Sequence, residues 1–161
     1  GVLAFSVLSG CASAPTKTDG PPPDFAVSVT VADRARAAGS PSPDRPRAMR
    51  PARYIVEPDG LLRASVGPGS ATTTFPPPMR NLSAGQVADL WSLVNSAGYL
   101  KLDAASQSAE AETVPSAVTR TTAMIYVAGS GERRSLQVPL ESPAGATTRA
   151  LVDRLAELSW I

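Results

Sequence analysis

The sequence predicts a small single-domain α+β protein. We expect an antiparallel sheet of about five strands with two helices packed on one face, in the order β-ββ-α-ββ-α. Three observations support this: one segment alternates strictly between apolar and polar residues, two pairs of apolar runs flank turn residues, and a helical apolar stripe follows each pair. The chain has 161 residues, which suits one domain rather than two.

The first strand is predicted over residues 25–31. Its alternation has a period of two, which is typical of a strand with one buried face. The apolar members are Phe25, Val27, Val29 and Val31, and the intervening residues are Ala26, Ser28 and Thr30.

Two hairpins are predicted further along the chain. Residues 52–57 and 61–66 flank Pro58-Asp59-Gly60, in which proline fixes one turn position and glycine supplies the positive φ. Residues 121–128 and 133–140 flank Gly129-Ser130-Gly131 in the same way. Because Pro139 has no N–H to donate, the last strand is expected to lie at a sheet edge.

A helix is predicted after each hairpin. Ser83 and Gln86 have the spacing of a capping box, and Gly98 supplies a left-handed stop. The apolar stripe between them is Val87, Leu90, Trp91 and Val94. The final helix begins near Thr147 or Thr148, with an apolar face of Leu151, Val152, Leu155 and Leu158. Trp160 and Ile161 are expected to pin its end.

The first ten residues have the features of a signal-peptide remnant. Residues 1–8 are uncharged and mostly apolar, and they are too short to span a bilayer, which takes about 20 residues. They match the apolar region of a secretory signal peptide. The alternative is that they form an ordinary strand and that Cys11 is a buried thiol.

Leu8-Ser9-Gly10-Cys11 resembles the lipobox of bacterial lipoproteins. The resemblance implies export, cleavage before Cys11, and a membrane anchor through lipids on that cysteine. With Ala12 next, it also implies the outer membrane in a double-membraned bacterium, with the domain facing the periplasm or the cell surface. Residues 11–24 are then a lipidated, proline-rich tether, which at about 3.1 Å per residue reaches up to ~40 Å.

An arginine-rich segment lies between the first strand and the first hairpin. Its members are Arg34, Arg36, Arg45, Arg47, Arg50 and Arg53, against Asp33 and Asp44. Since guanidinium groups pair well with phosphate and carboxylate, they form a candidate patch for anionic headgroups or an acidic partner. The alternative is a solvated insertion in a chain that prefers arginine to lysine. The loops 32–51 and 103–119 are expected to be mobile, and the domain proper runs over 25–161.

Composition argues against catalysis, cofactors and nucleic acid. The sequence has no histidine and one cysteine, so it lacks the usual base near neutral pH and the usual metal ligands. Glu110, Glu112 and Asp103 show no repeating calcium-ligand pattern. A net charge of +1 and 5% aromatic residues make nucleic acid an improbable partner. We therefore expect no enzyme activity, no cofactor and no metal site.

The globular part is similar in its order of elements to emfourin-type inhibitors of thermolysin-like metallopeptidases. The likeness is carried by the turn at Asp59-Gly60, the helix of residues 82–94, the second hairpin and the closing leucine helix. It implies an alternative function, peptidase inhibition, with no inhibitory residue to assign. The main prediction is a lipid-anchored envelope protein that binds or scaffolds, with an envelope protein or a peptidase as its possible partner.

Overall fold

The structure, a computed structural model, describes residues 20–33, 45–101 and 121–160. It confirms the α+β class. In these ranges a six-stranded, wholly antiparallel sheet packs with two α-helices. The strands are β1 Ala26–Asp33, β2 Ala52–Val56, β3 Leu61–Val66, β4 Pro78–Asn81, β5 Thr121–Gly129 and β6 Glu132–Pro139. The helices are α1 Ala84–Ser96 and α2 Ala146–Ser159.

The sheet is built around its first strand. The strand order is β4-β3-β2-β1-β5-β6, so β1 lies between the two predicted hairpins. Val29 of β1 faces Tyr54 of β2 on one side and Ile125 of β5 on the other. β1 therefore joins the two halves of the chain into one sheet.

One face of the sheet is buried by the helices. Val27, Val29 and Val31 of β1 are fully buried, whereas their neighbours along the strand are half-buried. The Phe25 ring meets the Trp91 ring of α1 edge-on, with centroids 5.1 Å apart. This alternation places the core between the sheet and the two helices, as the sequence predicts.

The start of α1 confirms the capping box. The Ser83 hydroxyl accepts from the Gln86 N–H at 3.3 Å, and the Gln86 side chain accepts from the Ser83 N–H at 2.9 Å. Two N–H groups that a helix start leaves unpaired are thereby bonded. Gly98, at φ +68°, takes the left-handed conformation just after the helix.

Strand β4 was not predicted, because its prolines indicate a spacer. Pro78 and Asn81 nevertheless pair with β3, with an irregular register between Leu62 and Arg63. Pro77 accepts the N–H of Ala64 at 3.2 Å. Proline is tolerated because β4 is an edge strand, whose outer N–H groups need no partner in the sheet.

The prediction of a mobile loop over residues 32–51 is wrong at both ends of that range. β1 continues through Asp33, and residues 45–51 are ordered around a 3₁₀ turn at Arg47–Met49. Ala48 is buried in this turn, which packs against α2. Burial of an apolar side chain thus orders a segment whose composition indicates a loop. The remainder of that loop, and the expected loop 103–119, lie outside the described residues.

Trp160 does not pin the end of α2 as expected. It is 78% exposed and takes a left-handed φ of +56°, which ends the helix and turns the side chain off its buried face. Its ring lies 4.0 Å from the Arg80 guanidinium of β4, a cation–π contact at the sheet edge.

Alanine should change the free energy of unfolding in opposite directions at two glycine positions. A Cβ at Gly145 would lie 2.5 Å from the Pro139 carbonyl oxygen, whereas a Cβ at Gly85 in α1 would meet nothing closer than 3.9 Å. We expect Gly145→Ala to lower the free energy of unfolding by ~1–3 kcal/mol through overpacking. Gly85→Ala should raise it by ~0.5 kcal/mol, because alanine loses less backbone entropy. Urea unfolding measures both, and equal effects would contradict the packing described.

Candidate functional site

At the start of the domain, the side chain of Asp24 is bonded to the turn between β5 and β6. The two carboxylate oxygens of Asp24 accept from the backbone N–H groups of Ser130 and Gly131, at 2.8 and 2.7 Å. We call these three residues the Asp24 clamp. Cys11 and the rest of residues 1–19 lie outside the described residues, so lipidation of Cys11 stays a prediction.

The clamp lowers the pKa of the Asp24 carboxyl. The main cause is the hydrogen bond from Gly131, and the bond from Ser130 and the charge of Arg133 act in the same direction. Bonds to the charged form favour that form. The carboxylate therefore stays ionised, and the clamp stays intact, over the whole neutral range.

The arginine-rich segment begins at the opposite end of the sheet from the clamp. β1 starts beside the β5–β6 turn and runs eight residues to Asp33, a length of ~27 Å at about 3.4 Å per residue. Asp33 pairs with Arg45, the first described residue of the segment. The Asp24 clamp and Arg45 are thus separated by the length of the sheet.

Arg45 is held in a polar cluster at that end, which we call the Asp33 cluster. Its guanidinium donates to Asp33 at 2.8 Å and to the Thr121 hydroxyl. The Thr121 hydroxyl donates to the other Asp33 oxygen at 3.2 Å, and the Thr121 N–H donates to Glu141. The cluster ties the end of β1 to the start of β5, so Arg45 has a structural role.

The other arginines are divided between two surfaces. Arg47 and Arg50 are exposed beside the Asp33 cluster, where the Arg50 Nε donates to the Arg45 carbonyl at 3.0 Å. Arg53 lies on β2, and its side chain is on the face opposite that of buried Tyr54. The described members of the candidate patch are therefore not one surface. Arg34 and Arg36 lie outside the described residues.

Two buried tyrosines are held neutral. Burial raises the pKa of Tyr54 to about 12, with the charge of Arg47 opposing the rise. Burial also raises the pKa of Tyr99, whose hydroxyl lies 2.6 Å from that of Thr148 at the start of α2. Neither hydroxyl has the pKa of an acid or base that works near neutral pH.

The face of the sheet turned away from the helices, which we call the open face, carries exposed apolar side chains. Met124 and Tyr126 of β5 are 57% and 41% exposed. Phe75 is 64% exposed and lies 4.1 Å from the guanidinium of Arg63 on the same face. Large apolar side chains grouped on one exposed surface are typical of an interaction site.

The strand register arranges the open face in rows. Directly paired residues share a face and lie on strands ~4.8 Å apart. One row is Ser65, Arg53, Thr30, Met124 and Gln137, and the next is Arg63, Ile55, Ser28, Tyr126 and Ser135. Arg53 therefore lies two strands from Met124 and near Ile55, within the span of one short peptide.

The arginines of the open face differ in their partners. Arg63 pairs with Glu57 at 2.5 Å and donates to the Pro76 carbonyl at 3.4 Å, besides contacting Phe75. Arg53 is half-buried, and its Nε is fully buried without a hydrogen-bond partner. An unbonded buried donor on a charged group costs about 1–3 kcal/mol or more. Arg53 thus has an unbonded donor, whereas the Arg63 guanidinium is already bonded to Glu57 and to the Pro76 carbonyl.

The sequence analysis did not single out Met124, Tyr126 or Phe75. A signal was present in residues 121–128, where apolar residues occupy both faces of the predicted strand. A strand with one solvated face would alternate with polar residues there. Phe75 gave no such signal, since its place beside Arg63 depends on the unpredicted pairing of β4.

Metal-site geometry, membrane spans and known families add no further site. Over residues 20–33, 45–101 and 121–160, no three carboxylate, histidine or cysteine side chains are grouped as metal ligands. Within those same ranges, neither helix has the length and apolar character needed to cross a bilayer. No protein-family model matches the chain, and no curated protein matches its sequence.

The Asp24 clamp predicts a distinct acid titration. A carboxyl whose pKa is lowered on folding stabilises the fold fully above its unfolded pKa, and this contribution is lost as the pH falls through the folded pKa. The amide NMR signals of Ser130 and Gly131 should therefore shift together, with a midpoint below the ordinary value of 3.8. Asp24→Asn should abolish this shift, and Glu132→Gln should leave it. A midpoint at or above 3.8 would contradict the clamp.

Proposed function

We propose that the protein is a lipid-anchored envelope protein without catalytic activity, whose domain binds a partner. The observation that carries the binding role is the open face, with Met124, Tyr126 and Phe75 exposed around two arginines. Exposed apolar groups cost free energy in water unless a partner covers them. A scaffold that presents such a surface has a binding role without any reacting group.

The anchor rests on the apolar run that ends in Leu8-Ser9-Gly10-Cys11. One acyl chain binds a bilayer only marginally, whereas two or three hold firmly. The proposed location is the bacterial envelope after export, in the outer membrane where there are two membranes, with the domain in the periplasm or at the cell surface.

The absence of catalysis is also part of the proposal. The sequence has no histidine, and the buried tyrosine hydroxyls have raised pKa values. The carboxylates of Asp33 and Glu57 are engaged in ion pairs with arginine. These groups stabilise the fold, and among the described residues they leave no paired acid and base of the kind hydrolysis needs.

The alternative function, peptidase inhibition, is supported only by the order of the strands and helices. The order of elements that suggested it is present, with β4 added. That order identifies no residue that enters a peptidase cleft, so inhibition stays a prediction.

Replacing Cys11 tests the anchor. Cys11→Ala should abolish incorporation of labelled fatty acid and move the protein from the membrane to the soluble fraction, because this is the only thiol in the sequence. Ser13→Ala, just outside the motif, is the matched control and should change neither readout. Membrane association that persists in Cys11→Ala would refute the anchor.

Replacing Arg47 and Arg50 tests the end of the sheet beside the Asp33 cluster. Arg45 is retained, since its removal would break the cluster. On vesicles of phosphatidylglycerol, the double alanine variant should bind ~30-fold more weakly, at about 1 kcal/mol per basic residue near an anionic surface. Arg133→Ala with Arg134→Ala removes the same charge at the other end and is the control. Equal losses of vesicle binding in both variants would show that this end of the sheet has no special role in binding anionic lipid.

A further inference from the structure

Arg53 is a cation of the open face whose buried Nε has no hydrogen-bond partner. It lies on β2, one of the two central strands of the sheet, between Thr30 of β1 and Ser65 of β3. Neither neighbour carries a negative charge, and the buried Nε has no hydrogen-bond partner. A guanidinium in this setting can bind a carboxylate strongly, since its planar fork donates one N–H to each of the two carboxylate oxygens.

The apolar side chains lie to one side of Arg53. Ile55 is the next residue on the same face of β2, and Tyr126 and Met124 lie on β5, beyond β1. Ser28 and Thr30 of β1 lie between, and they are short enough to leave a shallow surface bounded by longer side chains. The surface thus combines one cationic position with apolar contacts about 10 Å away, at two strand spacings.

We propose that the open face binds an acidic segment of a partner protein, with a carboxylate on Arg53 and apolar side chains on Met124 and Tyr126. This deepens the proposed binding role and rests on it. Such a segment satisfies both halves of the surface together, because the ion pair fixes its register and the apolar contacts exclude water around it.

A second copy of this chain fits the open face less well. In the described part of the chain, this face carries Arg53, Arg63 and Arg133 against Glu57, so stacking two copies brings two cationic surfaces together. Like charges at a desolvated interface oppose association. An acidic partner has the complementary charge.

A bilayer surface also fits less well. Headgroups are contacted best by long, protruding side chains, whereas Arg53 is half-buried between neighbouring strands.

Selection of peptides tests the proposal without knowledge of the natural partner. A random 12-residue phage-displayed library is panned on the full 161-residue chain, and the most enriched peptide is synthesised for anisotropy measurements. We expect enrichment of Asp or Glu together with apolar residues. Arg53→Gln and Tyr126→Ser should each weaken binding of that peptide at least ~10-fold. Arg53→Lys, which keeps the charge but not the fork, should bind with intermediate affinity.

The matched control is Arg134→Gln. Arg134 is exposed on β6 and pairs with buried Val127, so its side chain is on the helix side. It removes the same charge as Arg53→Gln and should leave peptide binding unchanged. Circular dichroism confirms that each variant is folded. Tyr126→Ser changes an exposed side chain, so the test survives even if Arg53→Gln does not fold.

Several outcomes would overturn the proposal. These are no enriched peptide, enrichment without acidic residues, or binding that Arg53→Gln leaves unchanged. A dimer in sedimentation equilibrium that Tyr126→Ser dissociates would assign the face to a second copy. Sedimentation with phosphatidylglycerol vesicles that Arg53→Gln abolishes would assign it to a membrane. Panning uses unlipidated protein, so a failure of the peptide-binding proposal would not bear on the Cys11 anchor. A failure of the anchor would likewise leave the peptide-binding result interpretable.

Discussion

The fold depends on the pairing of β1 with strands on both of its sides. β2 follows β1 closely along the chain, but β5 does not, and only β1 brings the two hairpins into one sheet. Its valines are fully buried, so this pairing also sets which face the helices cover. At its far end, the Asp33 cluster fixes the start of β5 against the end of β1. One strand thus determines the sheet, the core and the position of the second half of the domain.

Burial of a single face has a functional consequence. An antiparallel sheet can leave one side to water, and that side is then usually polar. The open face departs from this rule at Met124, Tyr126 and Phe75. The departure is not random, because these residues lie on the same side as Arg53, whose Nε is unbonded. The proposed binding role rests on these exposed apolar side chains and the unbonded guanidinium nitrogen on the same side of the sheet.

Local patterns predicted most of the elements, whereas pairings distant in sequence determined the rest. The capping box at Ser83 and both hairpins follow from short-range spacing, so they were predictable. β4 was missed because its proline-rich sequence pairs only through β3. The arginines were grouped by nearness along the chain, but strand alternation separates Arg53 from Arg47, and Asp33 holds Arg45. Their division became visible only with the register.

The central place of β1 also decides how the domain carries mechanical load. Tension applied to the chain just before β1 enters the sheet along the axis of that strand. Five residue pairs with β2 and eight with β5 then resist together in shear. A tether joined to an edge strand would instead peel its hydrogen bonds apart one at a time. The Asp24 clamp lies at the entry point, bonded to the neighbouring turn, and it spreads the pull onto β5 and β6. A pull at the start of β1 therefore loads many strand hydrogen bonds at once.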